Sequence, residues 1–566
     1  MKKFFLKNWL LIVILVTASF LRTYKLNQVP ISLFGDELDV DYHALSILKT
    51  SRDYSGNFIP FHFQSLAEWR TPLYLYSAVP TVSLFGISPL GVRLPAAIYG
   101  ILGVFGIYLL VKQLTKKESL GLITGFLLAV NPWHLQYSRA CFEVTMLLCF
   151  LLFGLYFFFK SFEKPKLLWL STSLLVITPL IYSTAKLFTP ILFVFLFFAY
   201  RKEILSLPKK YLNYAVASLI ILGGITTYAT LFSGGSQRFG YIGVFTDPII
   251  EPEVGVDRLR DSLMRGEKGV GLQPKFIDRA IHNKFTFVGE RIVNNYITSL
   301  SFDFLFVNGD PNPRHMIDGM GMFYKVEVIT LLFGLLLFFT DKNVDIKIKR
   351  LIAVWILAGI LPASITRDGG NHASRLILIL PPLIFLMSYG FSKFYDLSKK
   401  MTAVYLLVLF AFIGLYLHNY YVHYPWDSER WWHSGWCDAV GEVKKVDESY
   451  EKIIISMADE PAWIFFAGCY QYDPFIWQKE FPLGNDVEVK GFGKISHTDK
   501  FYFGKPEGGI YSLKDNLDEK SLYLASAKEI PWNLIMEPTR VPDGLNLVKA
   551  IPFPSGEPAF YLLTKK

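Results

Sequence analysis

Carboxylates are unusually dense near the start of the chain. Four of the six residues from 36 to 41 are acidic: Asp36, Glu37, Asp39 and Asp41. They directly follow an apolar segment, and carboxylates beside a membrane lose hydration unless a cation or a metal compensates them. On a helix, Asp36 and Asp39 would share one face. The group therefore indicates general-base catalysis or ion binding, and the alternative is a solvated acidic helix start.

Two arginines follow in the same part of the chain. Arg70 lies in the run Trp69–Tyr74, and Arg93 lies in the run Gly91–Ala96 at the start of another apolar segment. A guanidinium at the end of a membrane helix can bind a phosphate through two parallel hydrogen bonds. The alternative for Arg93 is a side chain that only extends to the membrane interface.

The chain is rich in apolar residues, which form long segments. Of its 566 residues, 52% are hydrophobic and 19% are charged. A run of roughly 17 to 25 residues with few charges can cross the hydrocarbon layer as a helix. About eleven such spans are predicted by this criterion. They cover residues 8–24, 91–111, 118–136, 141–160, 167–184, 187–201, 211–232, 321–340, 350–366, 376–392 and 401–419.

Basic residues in the short connections predict the orientation, because cytoplasmic loops retain Lys and Arg. Alternate connections are basic, near residues 112–117, 160–166, 201–210, 342–350 and 393–400. With an uncleaved first helix and a cytoplasmic N-terminus, the loops 25–90 and 233–320 and everything after 420 lie outside the cell membrane. The formal net charge of +9 is then a consequence of topology, and no nucleic-acid partner is expected.

Residues 421–566 differ in character from the rest. Their short β-favouring runs at 452–456, 521–524 and 560–563 alternate with helical stretches, which predicts a small extracytoplasmic α/β domain. A disulfide between Cys437 and Cys469 is compatible with an oxidising compartment, but the spacing leaves the pairing open.

Three motifs carry a family resemblance: Gly35–Glu37, Arg70–Leu73 and Arg93–Ala96. Together they resemble the opening of the protein-mannosyltransferase and aminoarabinose-transferase superfamily, whose members have the GT-C fold. The likeness continues through Tyr137–Arg139 with Glu143, Asp310–His315 and Asn371–Arg375. The resemblance implies a multi-pass α-helical membrane glycosyltransferase domain over residues 1–420, followed by the α/β domain over residues 421–566.

The resemblance also implies residue roles. Asp36 is expected to be the catalytic base, with Glu37 orienting it or the acceptor. A positioned carboxylate can take the proton of an attacking hydroxyl, and a phosphate leaving group needs fixed cations. Expected substrate-binding residues are Arg70, Arg93, Arg139, Glu143, His315, His372 and Arg375, with Lys186 as a weaker candidate. For His315 the alternative is a turn or packing role.

The resemblance, together with the predicted topology, implies an inverting glycosyltransferase of the cytoplasmic membrane, which uses a polyprenyl-phosphate sugar donor and an extracytoplasmic acceptor. No cofactor is assigned. A divalent cation is left open, with Asp36, Glu37, Asp39 and Asp310 as candidate ligands. The alternative is a transporter or flippase, whose ionisable residues would lie near the membrane midplane and not on one face.

Overall fold

The computed structural model describes residues 2–66, 69–235, 237–480 and 486–566. The chain divides into two compact units. The first consists of Met1–Leu21, Tyr99–Tyr137 and Glu143–Tyr416, and the second of Arg22–Ile98, Ser138–Phe142 and Leu417–Lys566. This division is discontinuous, whereas the sequence predicted a single boundary near residue 420.

Helices account for most of the chain. The longer α-helices are Lys2–Thr23, Gly35–Thr50, Pro72–Phe85, Pro89–Thr115, Glu118–Val130, Val144–Ser161, Ala185–Leu205, Lys209–Phe232, Ile250–Met264, Lys284–Thr298, Glu327–Thr340, Ile346–Ser364, Leu380–Leu397, Lys399–His418 and Trp436–Val446. Shorter α-helices are Pro132–Ser138, Leu168–Val176, Gln237–Ile242, Phe276–Ile281, Ala373–Leu376, Tyr424–Asp427, Ala462–Tyr470, Pro474–Glu480 and Leu513–Asn516.

Several helices are suited to a membrane. Among the described residues, five helical segments are long and apolar enough to cross one: Pro89–Thr115, Val144–Ser161, Lys209–Phe232, Ala373–Leu397 and Lys399–Asp427. Four shorter apolar segments are Asn8–Thr23, Glu118–Val130, Pro165–Leu180 and Glu327–Thr340. The protein is therefore a helical membrane protein.

The two remaining predicted spans coincide with Ala185–Leu205 and Ile346–Ser364. Both helices include several charged residues toward one end, for example Arg201 and Lys202 in the first. The total of about eleven spans stays a prediction of the length criterion.

A seven-stranded mixed sheet forms the core of the C-terminal part. Its strands, in spatial order, are Val487–Val489, Gly493–Thr498, Phe501–Phe503, Lys452–Ile455, Ser521–Ser526, Pro558–Lys565 and Leu545–Pro552. Lys452–Ile455 is parallel to both of its neighbours, and the outer pairs are antiparallel. All six residues of Ser521–Ser526 are buried, as expected for a central strand. The β-favouring runs 521–524 and 560–563 lie within strands of this sheet, and the run 452–456 lies in one except for its last residue.

The helix Gly35–Thr50 packs against C-terminal residues, which explains the discontinuous second unit. The hydroxyl of Tyr42 donates to the carbonyl oxygen of Tyr472 at 3.1 Å. The amide of Gln478 donates to Ser46 Oγ at 2.9 Å. Such contacts between distant parts of a chain depend on the fold and leave no local sequence signal.

A disulfide joins Cys437 to Cys469 in this unit. It connects the helices Trp436–Val446 and Ala462–Tyr470. The other two cysteines, Cys141 and Cys149, are buried free thiols. The pairing that the spacing left open is therefore present in the structure.

We expect the disulfide to be detectable by thiol counting. Of the four cysteines, the two in the disulfide should resist alkylation, so denatured, unreduced protein should gain 4 − 2 = 2 labels. Reduction should raise the number to four. The variant Cys437→Ser/Cys469→Ser should gain two labels under both conditions and melt at a lower temperature. For a sequence separation of 32, the chain-entropy treatment gives a loss of about 4 kcal/mol in the free energy of unfolding. Four labels without reduction would contradict the disulfide.

Candidate active site

The acidic group forms the first two turns of the helix Gly35–Thr50. Asp36 and Glu37 lie in its first turn, where the positive end of the helix dipole stabilises negative charge. The Asp36 side chain is 45% exposed, whereas Glu37, Asp39 and Asp41 are fully buried. Of these four carboxylates, Asp36 is the one that solvent and a substrate can reach.

Arg70 joins two of the carboxylates. It lies on the short strand Trp69–Arg70, which pairs antiparallel with Phe63–Gln64. Its Nη2 is 2.6 Å from Asp36 Oδ1, and its Nε is 2.7 Å from Asp39 Oδ2. Asp36 and Asp39 thus share one face of the helix, as the spacing predicted, and one guanidinium orients both.

Asp39 is held inside the unit by several donors. The hydroxyl of Tyr54 donates to Oδ1 at 2.7 Å, and that of Ser65 donates to Oδ2 at 2.8 Å. Burial raises the pKa of Asp39, and the guanidinium of Arg70 opposes that rise. With its two oxygens occupied in this way, Asp39 is suited to positioning Arg70 and not to contact with a substrate.

Glu37 forms a two-point ion pair with Arg93. The Nε and Nη2 atoms of Arg93 donate to the two carboxylate oxygens at 2.8 and 2.7 Å. The backbone N–H of Cys141 also donates to Glu37 Oε1, at 2.9 Å. Both side chains are completely buried, so the two opposite charges compensate each other without water.

Arg93 is further engaged by backbone oxygens. It donates to the carbonyl oxygens of Leu26 at 3.3 Å and Pro30 at 2.8 Å, and also to that of Ser32. Its guanidinium lies 5.4 Å from the centroid of the Trp432 ring. These contacts indicate that Arg93 fixes the segment before the acidic helix, and binding a phosphate would require it to exchange some of them.

Arg139 supports the same segment. Its Nη2 donates to the carbonyl oxygens of Tyr24 at 2.8 Å and Val29 at 2.9 Å. The guanidinium lies 5.3 and 5.1 Å from the ring centroids of Tyr420 and Tyr421, within cation–π range. Arg139 is 1% exposed, so these contacts favour a structural role.

Asp41 differs from its neighbours because the described structure gives it no cation within salt-bridge distance. Its Oδ2 accepts the backbone N–H of Ser88 at 3.0 Å. Burial raises the pKa of Asp41 well above its usual range. This rise in pKa disfavours the carboxylate form of Asp41 that a general base needs.

In the first unit, three predicted residues come together. The ring centroids of His315 and His372 are 5.1 Å apart, and His372 Nδ1 is 3.9 Å from Asp310 Oδ2. The Asp310 carboxylate accepts the backbone N–H groups of Asn312 at 2.9 Å and Ala373 at 2.7 Å. Two sequence motifs that are about sixty residues apart therefore form one cluster by ordinary hydrogen bonding.

Glu143 belongs to the first unit as well. It immediately precedes the helix Val144–Ser161, and it is 9% exposed. Its backbone carbonyl accepts the N–H of Leu147 at 3.0 Å. Its assignment to substrate binding stays a prediction.

Arg375 lines a pocket of about 310 Å³. Lys186, Tyr182, Thr230 and Thr366 also line it. Arg375 Nη1 donates to Thr366 Oγ1 at 2.8 Å. Lys186 Nζ donates to a backbone carbonyl, that of residue 235, at 2.6 Å. Two cationic side chains thus face one pocket.

An apolar groove of about 1080 Å³ adjoins this pocket. The helices Ala185–Leu205 and Lys209–Phe232 supply most of its walls. Lys186 and Thr230 line both the groove and the pocket. The arrangement can accommodate a long apolar chain that carries an anionic head group.

Sequence reasoning missed the hydroxyl groups that support the histidines. The Tyr137 hydroxyl lies 2.9 Å from His315 Nδ1, and the Ser374 hydroxyl lies 3.1 Å from His372 Nδ1. Tyr182 in turn donates to Ser374 Oγ at 3.0 Å. Tyr137 and Ser374 stand inside motifs of the family resemblance, but their residue types alone predict no role.

We expect Arg93→Lys to destabilise the protein, because an ammonium cannot satisfy Glu37 and the carbonyl oxygens together. Buried acceptors left without donors cost about 1–3 kcal/mol each. Glu37→Gln, which leaves a buried cation unpaired, should cost about 3–5 kcal/mol. Melting temperatures of the full chain in detergent measure both effects.

Arg52→Lys provides the matched control, since Arg52 is exposed and donates to a backbone carbonyl at 2.8 Å. It should change the free energy of unfolding by less than about 0.5 kcal/mol. If Arg93→Lys melts like the wild-type protein but no longer binds a polyprenyl phosphate, Arg93 contacts the donor and the structural role is wrong.

Residues 70–225 match the sequence model of the family described as dolichyl-phosphate-mannose-protein mannosyltransferase. The motifs Arg70–Leu73 and Arg93–Ala96 lie inside the matched region. The match confirms the resemblance that these motifs predicted.

A curated relative is similar to part of the chain. The YkcB protein of Bacillus subtilis strain 168, whose name describes it as a candidate mannosyltransferase, is 25% identical over 256 residues. The alignment covers 41% of this chain and 34% of the relative, so the chain spans about a third of the relative's length.

Two solved structures are similar over most of the chain. The oligosaccharyltransferase of Archaeoglobus fulgidus with a tethered acceptor peptide is 13% identical, with 93% of this chain and 70% of that chain covered and a TM-score of 0.47. ArnT from Cupriavidus metallidurans bound to undecaprenyl phosphate is 12% identical, with 98% of each chain covered and a TM-score of 0.45.

Proposed function

We propose that the protein is a membrane glycosyltransferase that moves a sugar from a polyprenyl-phosphate carrier to an extracytoplasmic acceptor. The observation that carries the proposal is the cationic pocket at Arg375 and Lys186, which shares Lys186 and Thr230 with an apolar groove. The family match over residues 70–225 supports the same class of reaction.

The pocket and groove fit the two ends of such a donor. A phosphate carries negative charge that grows as the sugar leaves, and fixed guanidinium and ammonium groups stabilise it. The groove is lined mainly by apolar side chains, which suits a polyprenyl chain. A soluble nucleotide-sugar would gain nothing from a groove of this kind.

Asp36 is the proposed general base. The acceptor's oxygen or nitrogen attacks the anomeric carbon of the sugar, and the bond from that carbon to the phosphate oxygen breaks. The phosphate keeps the electron pair of this bond, and the proton of the acceptor passes to the Asp36 carboxylate. Arg70 Nη2, 2.6 Å from Asp36 Oδ1, holds this carboxylate in position. The Asp36 side chain nevertheless remains 45% exposed. Attack on the face opposite the leaving group inverts the anomeric configuration.

We further propose that the N-terminus is cytoplasmic and that residues 421–566 are extracytoplasmic. The alternating basic connections support this orientation. The disulfide between Cys437 and Cys469 supports it independently, because disulfides persist in oxidising compartments.

Asp36→Asn should reduce transfer about 10²–10⁴-fold, the usual contribution of a general base. The substitution keeps the size of the side chain and most of its hydrogen bonding, so the melting temperature should stay near that of the wild-type protein. The assay uses purified full-length protein, a panel of polyprenyl-phosphate sugars and membrane extract as the acceptor source.

Asp438→Asn is the matched control, because Asp438 is also an exposed aspartate in the first turn of a helix of the same unit. It should leave transfer unchanged. Near wild-type transfer by Asp36→Asn would show that the base is another group. Loss of transfer in Glu37→Gln at an unchanged melting temperature would move that role to Glu37.

Arg375→Gln and Lys186→Gln should each weaken binding of undecaprenyl phosphate by about 10- to 100-fold. A hydrogen bond to a charged group contributes about 1.5–3 kcal/mol, which corresponds to this range. Binding to the protein in lipid nanodiscs measures the loss. Lys202→Gln, on the same helix as Lys186 but exposed, is the control that should bind normally.

The groove can be tested separately from the pocket. Gly224 lines the groove, and a Cβ built at this position meets no atom within 4 Å. Gly224→Phe should therefore weaken binding of long polyprenyl phosphates more than that of a ten-carbon prenyl phosphate. Equal affinity of the wild-type protein for both chain lengths would refute a role of the groove in donor binding.

A further inference from the structure

We propose that Asp310, His315 and His372 together bind one divalent metal ion of the zinc type. In the part of the chain that the structure describes, they are the one group of three or more His, Cys or carboxylate side chains whose ligand atoms all lie within 4.8 Å of one another. Two imidazoles and one carboxylate are a ligand set that transition metals bind well.

The spacing is close to that of a formed site. Ligand atoms around a tetrahedral zinc ion, at about 2.0–2.1 Å from it, are roughly 3.3 Å apart. Separations of up to 4.8 Å between the ligand atoms therefore have to close by up to roughly 1.5 Å. His372 is 24% exposed and His315 is half-buried, so rotation of the two rings can supply this movement.

The surroundings of the three residues resemble the outer shell of a metal site. Metal-binding histidines usually form a hydrogen bond through the ring nitrogen that does not bind the metal. Here the Tyr137 hydroxyl lies 2.9 Å from His315 Nδ1. His372 Nδ1 lies 3.1 Å from the Ser374 hydroxyl and 3.9 Å from Asp310 Oδ2, so the ring has to turn for Nε2 to face the metal while Nδ1 keeps its contact with Ser374. Two backbone N–H groups hold the Asp310 carboxylate, at 2.9 and 2.7 Å. All three ligands are thus oriented by neighbouring groups.

The ligand types select among metals. Calcium and magnesium prefer sites made of oxygen atoms, whereas imidazole suits zinc, iron, nickel and copper. Three protein ligands leave at least one coordination position for water or an anionic oxygen. Of the candidate metal ligands named from sequence, Asp310 takes part in this cluster, whereas Glu37 and Asp39 are already paired with arginines in the second unit.

The cluster is linked to the cationic pocket by hydrogen bonds. Ser374 contacts His372 and accepts a hydrogen bond from Tyr182, a wall residue of that pocket. A bound metal would hold His372 and, through Ser374, the Tyr182 side chain. An effect of the metal on donor binding rests on the proposed function, whereas metal binding itself does not.

The test is metal binding by the full-length protein in detergent, after treatment with a chelator. Equilibrium dialysis against zinc, read by elemental mass spectrometry, should give one equivalent for the wild-type protein. His315→Gln and His372→Gln should bind roughly 100-fold more weakly, and Tyr137→Phe about tenfold more weakly because it loses only the supporting hydroxyl. Zinc should raise the melting temperature of the wild-type protein but not of the histidine variants.

Metal-free melting temperatures separate loss of the site from loss of the fold. Should a histidine variant fail to fold, Tyr137→Phe and the visible absorption of the cobalt-loaded wild-type protein still test the site. His418→Gln is the matched control, since the exposed His418 and His423 form a second histidine pair with Nε2 atoms 3.1 Å apart. Absence of bound zinc in folded wild-type protein would overturn the proposal. Loss of zinc from the His418→Gln variant, with zinc retained by the His372→Gln variant, would overturn it as well. Sugar transfer is not part of the readout, so failure of this site and failure of the proposed reaction are distinguishable.

Discussion

The buried ion pair of Glu37 with Arg93 is the interaction on which the candidate base depends. Moving two charges out of water is costly, and their attraction repays the cost only when the remaining donors and acceptors are also satisfied. Here carbonyl oxygens of residues 26–32 and the N–H of Cys141 complete the pair. The pair therefore fixes the chain just before the helix Gly35–Thr50 and the first turn of that helix. Asp36, one residue before Glu37, takes its position from this constraint.

Burial gives four neighbouring carboxylates different chemistry. Successive residues of a helix point about 100° apart, so residues 36 to 41 cannot all face the same surroundings. Glu37 compensates a cation, Asp39 orients Arg70, and burial raises the pKa of Asp41 well above its usual range. Asp36 alone of the four combines a cationic partner with exposure. A general base needs both an accessible oxygen and a fixed orientation, and these four residues together provide them at one position.

Local patterns predicted the helices, the strand runs and the grouping of acidic residues, because length, hydropathy and residue spacing determine these features directly. They could not predict the partner of Arg93. A guanidinium binds a phosphate and a carboxylate with the same two-point geometry. An arginine at this position of the sequence is therefore equally compatible with either partner. The sequence also could not predict the contacts of residue 42 with residue 472 and of residue 46 with residue 478, because these contacts depend on the packing of distant segments. For the same reason, the cluster of Asp310, His315 and His372 was predicted only as separate residues.

The pocket and groove of the first unit would suit the two ends of the proposed donor for separate physical reasons. Lys186 and Arg375 use hydrogen bonds to a backbone carbonyl and to Thr366 to keep their charged ends in place. Attraction between opposite charges is stronger where water is scarce, so a donor that displaces water from the pocket would strengthen the attraction of its phosphate to these two cations. The apolar groove that begins at Lys186 contributes affinity in proportion to the buried area of a lipid chain. A ligand that is anionic at one end and apolar along its length would gain binding free energy from both the charge attraction and the buried apolar area. A water-soluble sugar donor would gain binding free energy only from the charge attraction.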